Sequence, residues 1–216
     1  IQWLEDDAPY VYPSLEKIED VNKIKPINPQ NDGLMPYVLR EWEYMLKNVS
    51  PKIIEKYGYV RGHAVCMGPA ETAGLVLGYE KLFYGYFENP SLVHKLLDII
   101  TDETIKWIKA QEKVTGKLER LFLYDHLSTQ LSPSLYDEYF HPYVKAVFDE
   151  FKYVPIRLWH NEGRSSHVYN RIRDLGCNVY NFGADCLAEI KEAVGDCICL
   201  MGNLNSVKLT QQALKK

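Results

Sequence analysis

From residue 58 onward, short apolar runs alternate with longer amphipathic segments, and glycine follows three of the five runs directly. That alternation restricts the chain to a parallel α/β fold. The expected strands are Tyr59 to Met67, Leu118 to Tyr124, Val154 to Trp159, Cys177 to Phe182 and Cys197 to Met201. Between them, a helix is expected from Glu71 to Phe87, with interruptions around Gly74, Gly78 and Gly85. Asn89-Pro90 reads as an N-cap and first helical position, opening a helix to about Val114. One face of it carries Val93, Leu96, Leu97, Ile100, Thr104, Trp107 and Ile108, and Gly116 stops it. Ser132-Pro133 opens a helix through about Phe151. Further helices are expected from Ser165 to Leu175 and from an Asp185 cap to Val194. Residues 1 to 57 differ, being Pro-rich with turn signals at Pro26-Ile27-Asn28-Pro29 and Asn31-Asp32-Gly33. They read as an irregular approach segment with one helix, from Pro36 to Lys47.

Two architectures accommodate about five strand-helix units: an open doubly wound sheet and a (β/α)8 TIM barrel. No G-x-G-x-x-G or P-loop pattern follows any strand, which favours the barrel. A complete barrel runs to about 250 residues and eight strands. Because this chain starts at Ile1 and stops after what reads as a helix start, a central portion with strands missing at both ends is expected.

The 216 residues are 46% hydrophobic and 25% charged, as in one globular domain or a large part of one. With a formal charge of −4 and interspersed signs, neither nucleic acid nor an anionic membrane is favoured, and a small-molecule partner is expected. Five cysteines without a regular framework, no long apolar stretch and no signal pattern suggest a soluble protein of the reducing cytoplasm. The oligomeric state is not legible.

In barrels of this kind, function resides at the C-terminal ends of the strands. Those positions here are Met67-Gly68, Tyr124-Asp125-His126, His160-Asn161-Glu162, Asn181-Phe182-Gly183 and Gly202-Asn203. Four of the five carry hydrogen-bonding or ionisable residues, whereas the strand interiors are almost wholly apolar. Alternation sends His160 and Glu162 to one face and Asn161 to the other, and such a pair can hold a metal ion or a reacting proton. Asp125 is the expected catalytic carboxylate, or alternatively a cap for the loop before the Ser132-Pro133 helix. His126, Asn181 and Asn203 are expected to bind substrate. Plainer roles are expected elsewhere: His63 in the core, Cys197, Cys199 and Met201 packing on one strand face, and Phe83, Tyr84, Tyr86 and Phe87 forming a helix packing face.

The order and spacing of several elements resemble the uroporphyrinogen decarboxylase superfamily, which includes decarboxylases and cobalamin-dependent methyltransferases. The resemblance spans most of the chain. It rests on Gly68-Pro69 with Glu71-Thr72-Ala73, on Glu88-Asn89-Pro90, and on Asp125 with Leu131-Ser132-Pro133 and His141-Pro142-Tyr143-Val144-Lys145. It continues through His160-Asn161-Glu162-Gly163, Leu175-Gly176-Cys177 and Leu200-Met201-Gly202-Asn203-Leu204.

The resemblance implies a (β/α)8 barrel with its cleft at the strand ends. The zinc methyltransferases of the superfamily carry His-x-Cys where this chain has His160-Asn161-Glu162, so Glu162 replaces the cysteine. Zinc also accepts carboxylate oxygen, so His160 and Glu162 are the expected metal ligands, with a third implied beyond Lys216. The implied activity is zinc-dependent methyl transfer between a methyl-corrinoid (methylcobalamin, free or on a corrinoid protein) and a thiol or methylated donor. A second expectation is tetrapyrrole decarboxylation, which needs no metal. Against it, Gly68-Pro69-Ala70-Glu71-Thr72 lacks the aromatic of the decarboxylases' turn, and much of their apparatus maps before Ile1. A third is a non-catalytic barrel that binds a corrinoid protein or tetrapyrrole.

Overall fold

A computed structural model describes residues 11–57, 61–183, 185–204 and 210. Five strands form one parallel sheet in sequence order: β1 (His63–Met67), β2 (Arg120–Tyr124), β3 (Ile156–Asn161), β4 (Val179–Phe182) and β5 (Cys199–Gly202). Sequential parallel order with helices between the strands is the arrangement of a (β/α)8 barrel, of which the described residues form a part. Tyr59 and Val60, expected to begin the first strand, and the segment read as a helix start after Asn203 lie outside the described residues, apart from Leu204 and Thr210.

The helices are α1 (Met35–Asn48), α2 (Pro51–Tyr57), α3 (Pro69–Leu77), α4 (Tyr79–Glu88), α5 (Pro90–Thr115), α6 (Pro133–Tyr139), α7 (His141–Glu150) and α8 (Leu187–Val194). Two expected single helices are therefore pairs. Gly78, at φ +93°, separates α3 from α4 in a conformation that suits glycine. Pro142 has no N–H for the carbonyl of Glu138, and the helical ladder breaks around Phe140. The expected helix after Ser165 is instead a 3-10 segment, Ser166–Asp174, and Ser165 does not cap it. The approach segment holds two α-helices and a 3-10 turn, Ile18–Lys23, rather than one helix. It is fastened to the barrel layer where Ser14 N and Leu15 N both donate to Val76 O (2.9 and 3.0 Å).

The sheet's two faces differ because side chains alternate along each strand. One face lies under the helices: Cys66, Leu123, Trp159 and Tyr180 are buried and continue into the partly buried Leu200, forming a row across all five strands. Trp159 stacks on Tyr180 and tilts against Phe140, so this row anchors the sheet to α6 and α7. The opposite, inner face carries a layer of Val65, Phe122, Leu158, Val179 and Cys199. Above it, at the C-terminal ends, runs the row Met67, Tyr124, His160, Asn181 and Met201. The expected core packing of Cys197, Cys199 and Met201 does not hold: all three are exposed, on or beside β5, the last strand among the described residues. In α4, Tyr86 is buried but Tyr84 and Phe87 face outward, because a helix buries one stripe and these four aromatics span more than one. Among the described residues, no helix is long and apolar enough to cross a membrane.

Candidate active site at the strand ends

Strand register, rather than chain proximity, assembles the site. Parallel pairing sets Tyr124 beside His160 and His160 beside Asn181. His160 Nδ1 donates to Asn181 Oδ1 in a very short hydrogen bond, and Asn181 Nδ2 donates to Met201 O at 2.8 Å. Both ends of the Asn181 amide are thereby engaged, and its oxygen fixes the His160 tautomer. In neutral His160, Nε2 then carries a lone pair, and it faces Glu162 Oε1 at 3.5 Å. Two acceptors so placed are arranged to share a cation between them.

A tetrahedral zinc ion with ligand bonds of about 2.0–2.1 Å sets two donor atoms roughly 3.3 Å apart. The His160–Glu162 spacing is within reach of that edge. The carboxylate of Glu162 is 75% exposed and the His160 side chain 18%, so the pair opens to solvent. The pair therefore fits two positions of a zinc site. Among the described residues, no cluster of three or more His, Cys, Asp or Glu completes it.

His126 joins from the neighbouring loop. Its ring stands edge-on to that of His160, with centroids 5.1 Å apart, and its Nδ1 accepts from Glu162 N at 3.1 Å. That bond leaves the proton on Nε2 of neutral His126. Tyr124 packs edge-on against His160 from the other side, at 4.9 Å. Asn203 does not join this group, because its amide donates to Asp185 O at 3.3 Å.

Asp125 is fully buried and points away from the cleft. Its oxygens accept from Ala70 N (3.0 Å), Glu71 N (3.1 Å) and Leu127 N (3.3 Å), so it caps the start of α3 as well as its own loop. The helix at Ser132-Pro133 is capped by Ser132 itself, through Leu135 N. Burial, followed by the nearby charge of Glu71, pushes the Asp125 carboxyl up to about 8, against the opposing pull of the three amide donors. The capping role expected of Asp125 is thus served on a different helix, one contributed by the preceding βα unit.

Behind β3 lies a buried polar cluster for which the sequence gives only a partial signal. Asn161 Nδ2 donates to Ser165 Oγ (2.7 Å) and Tyr180 OH (3.3 Å), while Ser165 N and Oγ both donate to Asp185. This cluster holds the loop that carries Glu162 at both ends. Alternation indicates that Asn161 faces away from His160, but not that partners 19 and 20 residues on from Asn161 and Ser165 await it. An apolar cavity of about 380 Å³ lies at the β1 end of the strand-end row, between the approach segment, α3 and α5, with Leu15, Ile24, Met67, Val76 and Trp107 in its lining. It does not touch His126, His160 or Glu162.

A parallel βα array with polar and ionisable groups gathered on the inner row of its strand ends is the framework of the (β/α)8 class. The sequence profile of the uroporphyrinogen decarboxylase (URO-D) family matches residues 1–214, and the chain belongs to that family. Uroporphyrinogen decarboxylase of Carboxydothermus hydrogenoformans is 25% identical over 207 residues, covering 94% of this chain and 57% of that protein. The enzyme of the same name from Thermodesulfovibrio yellowstonii is 23% identical over 216 residues, covering 97% and 59% respectively. The chain thus spans a little under three fifths of the length of these relatives. Among solved structures, a methyltransferase from Methanosarcina mazei superposes with a TM-score of 0.73 at 17% identity, over 91% of this chain and 55% of that one. That likeness establishes the fold.

Proposed function

We propose that the protein containing this chain is a zinc-dependent methyltransferase, acting between a corrinoid and a thiol or methylated donor, with His160 and Glu162 as two of the metal ligands. The observation that carries this reading is the facing pair of acceptors, His160 Nε2 and Glu162 Oε1, 3.5 Å apart at the mouth of the strand ends. Asn181 orients the imidazole by accepting from Nδ1, the nitrogen turned away from the metal position, as the hydrogen-bond partners of metal-binding histidines do. Zinc bound there supplies positive charge that lowers the pKa of a thiol or polarises a methylated donor. Tyr124, Met67 and Met201, on the same row, give the approaching substrate an apolar floor. Asp125 acts from behind, holding the first turn of α3 and the loop after β2 in register. The corrinoid is either free or carried on a partner protein.

A second reading, tetrapyrrole decarboxylation, is favoured by the names of the curated relatives. An acidic tetrapyrrole calls for cationic side chains, and the five described residues of the strand-end row include no lysine or arginine. Metal analysis of the intact protein separates the two readings. Stoichiometric zinc that falls sharply in His160→Ala and Glu162→Ala, and persists in Glu162→Cys, supports the methyltransferase. Zinc content unchanged in His160→Ala removes the ligand assignment, and a metal-free protein that binds tetrapyrrole supports the second reading.

A further inference from the structure

Glu71 occupies the third position of α3, where a glutamate commonly turns back to the N–H of its own helix's cap. Here that N–H, of Gly68, is taken by Tyr124 O at 2.6 Å. Glu71 reaches across to the next loop instead: Oε2 accepts from His126 N at 3.0 Å, while Oε1 accepts from Tyr79 OH in a very short hydrogen bond. Asp125 sends its carboxyl group the opposite way, to the main-chain N–H groups of Ala70 and Glu71. The first turn of α3 and the loop after β2 are therefore clasped reciprocally, each by a carboxyl group from the other.

Two glycines make this clasp possible. A Cβ on Gly68 would stand 2.3 Å from Asp125 Oδ2, and a Cβ on Gly74 would stand 2.4 Å from the ring of Tyr79. Neither residue has a positive φ, so neither is required for its backbone conformation. Their missing side chains are what admit the carboxyl of Asp125 and the ring that steadies Glu71.

Beyond the clasp, the chain of contacts continues to the candidate metal pair. His126, held at its main chain by Glu71, accepts Glu162 N at its Nδ1 and lays its ring edge against His160. The geometry points to Glu71 as a positioning residue that sets Glu162 and His160 through the imidazole of His126, with Tyr79 holding Glu71 in place. This assignment rests on the reading of His160 and Glu162 as metal ligands. It gives a role to Glu71 in a turn that contributes no group to the cleft itself.

The test is a double-mutant cycle on the intact protein, with zinc affinity measured by competition against a chelator for wild type, Glu71→Ala, His126→Ala and the double variant. Glu71→Ala is expected to weaken zinc binding about tenfold or more, in the range of outer-shell effects. Glu71→Gln, which keeps an oxygen acceptor, is expected to recover most of that loss. In the His126→Ala background, Glu71→Ala is expected to add nothing, because the path through the imidazole is already gone. Undiminished affinity in Glu71→Ala, or effects of the two single variants that multiply, would overturn the assignment.

Should Glu71→Ala fail to fold, Tyr79→Phe removes only the supporting hydroxyl, with an expected loss of a few-fold; no loss would count against the proposal. A metal-free readout keeps this proposal separate from the metal reading. In long-range ¹H–¹⁵N spectra of the apo protein, His126 is expected to show the Nε2–H tautomer in wild type and a mixed population in Glu71→Ala. An unchanged tautomer overturns the positioning role even where His160→Ala abolishes zinc binding. The expected change of tautomer, with zinc indifferent to His160→Ala, leaves the positioning of His126 standing and removes only its metal-site purpose.

Discussion

Asp125 shows how a buried carboxyl ties pH to stability. Its folded value of about 8 lies far above the 3.8 of an unperturbed aspartate, so the folded chain holds a proton that the unfolded chain has released. The stabilisation it contributes is full below about pH 4 and is lost as pH rises through 8. Chemical denaturation across that window should show stability falling with pH, and Asp125→Asn should flatten the slope. An identical slope in wild type and variant would refute the placement. At this scale, the His160–Glu162 pairing was legible in the sequence, because the two-residue period belongs to the strand backbone. The destination of the Asp125 carboxyl was not, since the amides it accepts lie 54 and 55 residues away on the preceding unit. The Asn161–Ser165–Asp185 cluster escaped for the same reason: its partners meet only once adjacent strands are in register.

At the scale of elements, all five expected strands occur, each starting two described residues later than expected, with β3 and β5 running two residues and one residue further at their C-terminal ends. Apolar runs bounded by glycine are strong signals because both the core and the chain reversal demand them. Helix continuity was harder to read. Of the three glycines in the first helical region, only Gly78 interrupts it, whereas Gly74 and Gly85 sit inside helices where a Cβ would strike Tyr79 or Val93. Gly78→Ala places its Cβ no closer than 3.5 Å to Pro13, so its cost is conformational, about 1–3 kcal/mol by denaturant titration for a side chain forced to φ +93°, ψ +132°. Ser132→Ala removes the side-chain cap of α6 and should cost about 1 kcal/mol. A neutral result for either would mean that the local backbone relaxes. The 3-10 winding of Ser166–Asp174 was hidden because Ser165 looks like an N-cap; its hydroxyl is committed to Asn161, Tyr180 and Asp185.

For the molecule as a whole, the sheet is buried on its helix side, while Met67 and Met201 on the inner row are 43% and 52% exposed. Among the described residues, β1 and β5 are the outer strands of the sheet, so each presents backbone groups for pairing. These 216 residues expressed alone should self-associate, with a sedimentation-average mass that rises with concentration. Met201→Lys should reduce the effect by charging the β5 edge, and a concentration-independent monomer would argue that the inner face is covered. The reciprocal clasp between the first turn of α3 and the loop after β2, extended by His126 to the loop after β3, bears on how such barrels change over time. Each segment supplies the anchor for its neighbour, so one grafted singly from a relative would arrive without its counterpart. Exchange of specificity between family members should succeed when the three segments travel together as one inherited block, and fail when they are swapped piecemeal.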